Sequence, residues 1–261
     1  MQPPKWSFAV VFLLSAGVYI NILENDFVYD DSMHVVHNED IRDLSSGHFF
    51  LNDVRGRAKG HPKHTGSWRP LTGLSYALNY SLSGLRPGGF HFIDIVLHGI
   101  CSVLVFLVCG RFFESWKWAM FAAVVFGLHP VHTEAVCSVT NRSDVLAASF
   151  ALLSLLSFMR FRERGNNLYL VPLGLCYLAA IWSKESGITL IGLLFLFDWV
   201  SRWKANAETP IGWRLYLPYA VVGVTAAVYL VLRHMFVGEL TRVPYTDVEN
   251  PMAFADFRTK W

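Results

Sequence analysis

The sequence predicts an all-α polytopic membrane protein, and three observations lead to this fold class. Of its 261 residues 53% are hydrophobic and 16% are charged, whereas about 25% of the residues of a soluble domain are charged. The apolar residues are gathered in blocks of about 15–22 residues, the length of a helix that crosses a hydrocarbon core. Basic residues recur in every second connection between these blocks, as expected for loops that alternate between two sides of a membrane.

Seven apolar blocks are the predicted spans of this bundle. The first follows Lys5 like a signal peptide, but no small-residue cleavage site comes after it, so we interpret it as a retained span. The third and sixth blocks are short, and a tilted, partly buried or re-entrant segment is the alternative there. The blocks lie near residues 6–23, 90–109, 118–128, 145–161, 168–182, 187–200 and 215–236.

The positions of Lys and Arg predict the orientation. Short loops rich in basic residues stay in the cytoplasm, which places the N-terminus there. The opposite side is then the lumen of the endoplasmic reticulum, or the exterior in a prokaryote. The net charge of +2 and the lack of a basic stripe argue against a nucleic-acid partner. The cytoplasmic basic residues are Lys5, Arg111, Lys117, Arg160, Arg162, Arg164, Arg202, Lys204 and Arg214.

The first lumenal connection, residues 24–89, is long and contains a predicted helix. Pro70 suits the first turn of a helix, and leucines then recur at helical spacing up to Leu82. We expect a short amphipathic helix that lies on the lumenal membrane surface.

An acidic pair, Asp30 and Asp31, follows the first predicted span by a few residues. Two neighbouring carboxylates can hold a divalent cation. Alternatively, one can act as a general base while the other tunes its pKa. A solvated turn of the loop is the third interpretation, because surface aspartates are common.

Two further polar clusters fall in lumenal connections. His132 and Glu134 follow Pro130, which should end the third span. Lys184 and Glu185 lie between the fifth and sixth spans, where they could cap helix ends or, in the case of Lys184, bind an anionic phosphate.

The second span carries an unexpected polar stripe of His91, Asp94 and His98, spaced so that all three share one helix face. Ionisable groups inside a span usually face a bundle interior. A metal site of two histidines and a carboxylate is one interpretation, and a polar seam between helices is the other.

All of these clusters map to the lumenal side, which favours an enzyme acting on a lipid-borne substrate. A transporter should instead carry ionisable groups near the midplane of two related halves, and the sequence shows no such symmetry. A catalytically silent scaffold subunit is the other alternative.

Four motifs in this order resemble the transmembrane O-mannosyltransferases that act on cadherins, the TMTC family. They are Phe27-Val28-Tyr29-Asp30-Asp31, Trp68-Arg69-Pro70-Leu71, His129-Pro130-Val131-His132-Thr133-Glu134 and Lys184-Glu185-Ser186-Gly187.

The resemblance implies a GT-C-like helical bundle in the endoplasmic reticulum membrane, with the acidic pair at the active site. It implies dolichyl-phosphate-mannose as donor and Ser or Thr of a cadherin-like protein as acceptor, and it leaves a metal requirement open. In the family, further spans and tetratricopeptide repeats follow this region. With an inverting mechanism, Asp30 is the favoured base, and the donor phosphate would be balanced by Arg69, Arg142 and Lys184.

Overall fold

The computed structural model describes residues 3–56, 67–204 and 212–237, and it contains helices and no strands in these ranges. The predicted all-α fold class is therefore confirmed. Each predicted apolar block lies on a helix. The helices of more than ten residues are α1 (Lys5–Gly17), α2 (Pro70–Ser83), α3 (Pro87–Cys109), α4 (Trp116–Leu128), α5 (Arg142–Arg164), α6 (Leu170–Ser183), α7 (Leu190–Lys204) and α8 (Leu217–Val237).

Shorter helical turns join these helices. The most important for the site is the turn Ser32–Val36, directly after the acidic pair. The others are Ile20–Glu24, Leu44–Ser46, His48–Leu51, Pro130–His132, Thr133–Cys137, Val139–Asn141, Asn167–Tyr169, Glu185–Thr189 and Trp213–Leu215.

By length and composition, three described helices can cross a membrane: Pro87–Cys109, Val139–Arg164 and Leu217–Phe236. A fourth span results if Trp116–Leu128 and Pro130–Cys137, which meet at 46°, are one bent span. The bend falls where Pro130 cannot continue the helix hydrogen bonding. The helices Lys5–Gly17 and Asn167–Ser183 are apolar but shorter. The chain is thus a polytopic membrane protein, and its total of seven crossings stays a prediction.

The helices pack around one large apolar core. α5 lies against α3 and α6, α6 lies against α8, and α1 packs on α3 and α4. Phe158, Leu173, Tyr177 and Leu194 are completely buried where α5, α6 and α7 meet. This core fixes the relative positions of the helix ends that carry the polar clusters.

The first connection folds over a smaller core of its own. Val35, Ile41 and Phe49 from the loop pack against Tyr76 of α2 and Phe90 of α3. The chain here is therefore a compact layer on the ends of the helices. Burial of these side chains holds the residues around the acidic pair in place.

Helix α2 begins at Pro70 and turns polar residues toward the protein. Thr72, Tyr76 and Asn79 are buried, whereas Leu78 and Leu82 are 46% and 82% exposed. The leucines thus form the outer face of the predicted amphipathic helix.

Polar contacts separate the bundle into two ends. Arg142 begins α5 and Arg162 lies twenty residues later, which corresponds to about 30 Å along the helix. Arg162 pairs with Asp198, and Arg111 pairs with Glu163, at the end that the sequence assigns to the cytoplasm. We name the opposite end the site end. It carries Asp31, Asp94, Arg142, Asp144 and Lys184.

Candidate active site

Asp31 is completely buried and connects the first loop to the beginning of α5. Its Oδ1 accepts hydrogen bonds from the backbone N–H and the hydroxyl of Thr140, both at 2.8 Å, and from the Ser138 hydroxyl at 3.3 Å. Its Oδ2 accepts from the Val28 N–H at 3.2 Å. Both carboxylate oxygens are therefore occupied, and Asp31 fixes the position of its own loop.

Asp30 is exposed, in contrast to its neighbour. Its carboxylate makes no hydrogen bond or ion pair with the described residues. The preceding Tyr29 is 96% exposed and has a φ of 45°, a left-handed conformation that costs an aromatic residue about 1–2 kcal/mol. Strain of this kind persists only where surrounding contacts enforce it, and here Asp31 Oδ2 accepts from the N–H of Val28, the residue before Tyr29. The loop therefore exposes Tyr29 and Asp30, while the contacts of Asp31 hold the loop in place.

The His34 side chain holds the backbone of Asp30 in place. Its Nδ1–H donates to the Asp30 carbonyl oxygen at 2.9 Å, and the ring is buried. Burial lowers the pKa of His34, and the nearby positive charges of Arg55 and Arg69 act in the same direction. The Asn38 amide donates to the His34 carbonyl at 3.0 Å and to the Val54 carbonyl at 3.1 Å, which ties this turn to the remainder of the loop.

Arg142 is the centre of a fully buried polar cluster. Its Nε donates to Asp94 Oδ1 at 2.5 Å, and neither side chain is exposed. A terminal N–H group donates to Asn79 Oδ1 at 2.9 Å and to the Phe90 carbonyl at 3.0 Å. The guanidinium also lies over the Tyr76 ring, 5.2 Å from its centroid. In this arrangement Arg142 joins α2, α3 and α5, and it does not present a donor to the surface.

Tyr76 lies where several of the predicted site residues meet. Its hydroxyl is 3.0 Å from the Val139 carbonyl and 3.2 Å from the Thr140 carbonyl, so it donates to the same segment that Asp31 holds. Burial raises the pKa of Tyr76 above its ordinary value, and the charges of Arg142, Asp94 and Asp31 act on it from close by. The structure thus brings Asp31, Asp94 and Arg142 together around one phenol.

Two further cations lie on either side of the turn that follows α6. Lys184 Nζ donates to both oxygens of Asp144, at 2.6 and 2.7 Å. Arg69 Nε donates to Glu185 Oε2 at 3.0 Å. The turn itself packs tightly on α6, because a Cβ on Gly187 would lie 2.7 Å from the Ala180 carbonyl carbon. Lys184 and Arg69 are partly exposed, at 28% and 18%.

The polar stripe of α3 faces the protein interior, as predicted, with His91, Asp94 and His98 at most 2% exposed. Its members have separate surroundings. Asp94 pairs with Arg142, His98 Nε2 donates to the Gly127 carbonyl at 3.0 Å, and the ring nitrogens of His91 make no hydrogen bond to the part of the chain that the structure describes. Across the described ranges, no group of three or more His, Cys, Asp and Glu is arranged to hold a metal. In this arrangement the stripe links α3 to the beginning of α5 and to α4.

His132 and Glu134 lie in the bent segment after α4. The His132 ring contacts Phe126, with centroids 4.3 Å apart, and lies 5.7 Å from the His98 ring. Glu134 is exposed and lines an open cleft of about 680 Å³ together with Asp26, Val28 and Ser138. Neither Asp30 nor Asp31 lines this cleft.

Several residues of the site were not singled out in the sequence. Thr140, His34, Tyr76, Asn79 and Asp144 each hold a predicted site residue. Asp144 carried a signal, because an acid in the first turn of a helix is favoured by the helix dipole. The others are ordinary loop or helix residues whose partners lie far away in the sequence.

The fold and the site define a membrane protein with an all-α bundle, an acidic loop and several cations at one end. Mouse "Protein O-mannosyl-transferase TMTC4" is 31% identical over 97% of this chain and 40% of its own length. Xenopus laevis "Protein O-mannosyl-transferase tmtc2" is 36% identical over 69% of this chain and 22% of its own. Drosophila melanogaster "Protein O-mannosyl-transferase Tmtc1" is 36% identical over 72% of this chain and 22% of its own length.

The chain belongs to the TMTC family. No family model matches it. The chain spans 40% or less of the length of the curated relatives above.

Proposed function

We propose that this chain forms part of a protein O-mannosyltransferase that transfers mannose from dolichyl-phosphate-mannose to Ser or Thr of secretory-pathway proteins. The family membership and the names of the relatives support this function. We place the enzyme in the endoplasmic reticulum membrane, with the site end in the lumen and the N-terminus in the cytoplasm. A cadherin-like domain is the acceptor that the family resemblance suggests.

The observation that carries the proposal is the difference between the two aspartates. Asp31 is buried with both oxygens hydrogen-bonded, so it cannot accept a proton from a substrate without losing its contacts. Asp30 is exposed, and its backbone is fixed by His34 and by the anchored neighbour. A general base must reach its substrate in a defined position. Asp30 meets this requirement, and Asp31 is its positioning residue.

In the proposed reaction the acceptor hydroxyl attacks the anomeric carbon from the face opposite the phosphate, which inverts the configuration. A carbon–oxygen bond to the acceptor forms while the bond to the phosphate oxygen breaks, and the phosphate takes the electron pair. Asp30 receives the hydroxyl proton. Lys184 and Arg69 are partly exposed and can balance the leaving phosphate. The buried Arg142 orients α2 and α5 instead.

The residues of the acidic pair do not fit a divalent cation. Asp31 Oδ1 already accepts three hydrogen bonds and Oδ2 accepts one, so this carboxylate is used to hold the loop. Such cations need several convergent oxygen ligands, and Asp30 alone does not provide them.

The test compares three variants in membranes from cells that express the protein, with labelled dolichyl-phosphate-mannose and a cadherin domain. Asp30→Asn should reduce transfer by about 10²–10⁴-fold, the usual contribution of a positioned base, without changing thermal stability. Asp31→Asn should reduce both, because an amide cannot accept all four hydrogen bonds. Glu24→Gln, an exposed acid in the same connection, is the matched control and should change neither.

Full transfer by the Asp30→Asn variant would contradict the assignment of the base. A folded wild-type protein without transfer activity would instead favour the silent scaffold, and protein-dependent movement of a solute across the membrane would favour the transporter.

A further inference from the structure

The open cleft of about 680 Å³ that Glu134 lines has no role in the chemistry above. Its two walls come from different connections at the site end. Asp26 and Val28 precede the acidic pair, whereas Glu134, Cys137 and Ser138 follow α4. The volume is within the range of about 300–1,000 Å³ that ligand sites occupy. The cleft is therefore large enough to hold part of a substrate.

Asp31 joins the two walls of this cleft. Its Oδ2 accepts a hydrogen bond from the N–H of Val28, and its Oδ1 accepts one from the Ser138 hydroxyl. Val28 and Ser138 both line the cleft, one in each wall. The carboxylate that holds the acidic loop therefore also holds the two walls of the cleft in place.

A tight turn connects the cleft to Asp30. The Asp31 N–H donates to the Val28 carbonyl oxygen at 2.9 Å, so these residues close a β-turn with Tyr29 and Asp30 at its centre. Because Asp30 is two residues from Val28, their Cα atoms are at most about 7 Å apart. An extended polypeptide advances about 3.3 Å per residue. A segment bound in the cleft can therefore place a residue about two or three positions further along at the Asp30 carboxylate.

Tyr29 has a strained conformation that no contact of its own side chain requires. Its φ of 45°, at the first central position of the turn, is one that favours glycine. Its side chain is almost fully exposed and makes no hydrogen bond or ring contact with the described residues. Packing of the ring therefore does not offset the strain in the described part of the chain. Strain of this kind is concentrated at sites that bind ligands.

The charges in the cleft have one sign. Among the described residues that line it, Asp26 and Glu134 are the charged ones. Both are exposed, and neither forms an ion pair with another described residue. Two such carboxylates repel an anion and attract a Lys or Arg side chain. The donor carries a phosphate, so charge complementarity assigns the cleft to the acceptor.

We propose that the cleft binds the acceptor polypeptide with Tyr29 packed on it, and that its two carboxylates select a basic acceptor segment. The preferred Lys or Arg lies about two or three residues from the Ser or Thr that is modified. This rests on the proposed function and adds to it a sequence preference of the acceptor. Val28 and Val131, which are exposed in the same cleft, can contact the aliphatic part of the basic side chain.

The first experiment separates a contact with substrate from a role in folding. Tyr29→Gly should raise the KM for the acceptor about tenfold, as expected for loss of one aromatic contact, with little change in kcat. Its melting temperature should be no lower than that of the wild type, because glycine adopts this φ without strain. Tyr29→Phe, which keeps the ring, should retain the wild-type KM. Leu82→Ala, at an exposed position on α2, is the matched control and should not change the KM.

The second experiment measures binding through Cys137, a free thiol that lines the cleft. A peptide with a Thr flanked by lysines should slow the modification of Cys137 by an impermeant thiol reagent, followed by mass spectrometry. The same peptide with Gln in place of Lys should protect about fivefold more weakly, the upper range for an exposed ion pair. The double variant Asp26→Asn with Glu134→Gln should remove this difference, and so should high salt. Glu24→Gln, an exposed acid outside the cleft, is the control and should retain it.

The outcomes separate this proposal from the proposed function. An unchanged KM in Tyr29→Gly, or equal protection by the two peptides, would overturn the proposal even if transfer is normal. A raised KM together with a lower melting temperature would assign Tyr29 to the fold and would also overturn its role. Protection of Cys137 that depends on the lysines, in a protein without transfer activity, would uphold the cleft and contradict the proposed function.

Discussion

Replacing Arg142 with Met should destabilise the bundle strongly, because the substitution leaves Asp94 buried without its partner. Removal of one member of a fully buried ion pair costs about 3–5 kcal/mol. The Asn79 side chain and the Phe90 carbonyl also lose their donor, and an unsatisfied buried acceptor adds about 1–3 kcal/mol. A loss of at least about 4 kcal/mol is therefore expected, a large part of the stability of a typical domain.

The Arg111–Glu163 pair provides the matched control. Its distances of 2.5 and 2.6 Å are as short as that of the Arg142 pair, but its side chains are 33% and 46% exposed. Arg111→Met should cost no more than about 1 kcal/mol, since exposed pairs contribute little. Burial, and not the length of the hydrogen bonds, is the difference between the two sites.

Unfolding of the purified variants in detergent, followed by helical circular dichroism against added SDS, gives the free energies. The double variant Asp94→Leu with Arg142→Met should lose less than Arg142→Met alone, because no uncompensated charge remains. If Arg142→Met costs no more than Arg111→Met, or if the double variant loses the sum of the single losses, the reasoning is refuted.

Two further predictions concern sidedness and pH. In a background without native cysteines, Asp30→Cys should react with an impermeant reagent from the lumenal side and Arg164→Cys from the cytosolic side; labelling from the same side would contradict the topology. The pKa of His34 is lowered in the folded loop, so the unfolded loop binds more protons in acid. The stability that the neutral His34 ring contributes to the folded loop is therefore lost as the pH falls below about 6.5. The hydrogen-exchange protection of residues 30–36, which is the observed rate relative to the base-catalysed intrinsic rate at each pH, should therefore fall between pH 7.5 and 5.5, and His34→Gln should remove most of this pH dependence.

The sequence was sufficient to locate the helices and to place the polar clusters at one end of the bundle. The apolar blocks identify helices because their length is that of a helix crossing the hydrocarbon core of a membrane. Pro70 marked the start of α2 and Pro130 the end of α4, as predicted. The interior position of the α3 stripe followed from the cost of exposing charge to lipid.

The pairing of the charged residues could not be read from the sequence. Arg142 was expected to contact the donor phosphate, but its guanidinium is buried and pairs with Asp94, 48 residues earlier in the chain. Arg69 and Glu185 are 116 residues apart. Asp30 and Asp31 are adjacent and chemically identical, and only the fold of the loop buries one and exposes the other. Such partners depend on helix packing, which local patterns do not specify.

The contact between Asp31 and Thr140 has a consequence for biosynthesis. The two residues are separated by 109 positions, so the ribosome delivers the acidic loop well before the segment that anchors it. Synthesis adds about 5–20 residues per second, so on the order of 5–20 seconds pass between synthesis of the acidic loop and synthesis of Thr140. During this interval Asp31 is a solvated carboxylate, and Asp30 has no fixed orientation. The nascent chain thus acquires an ordered acidic loop only after the polypeptide up to the start of α5 has been inserted, which links maturation of the site to completion of the bundle around it.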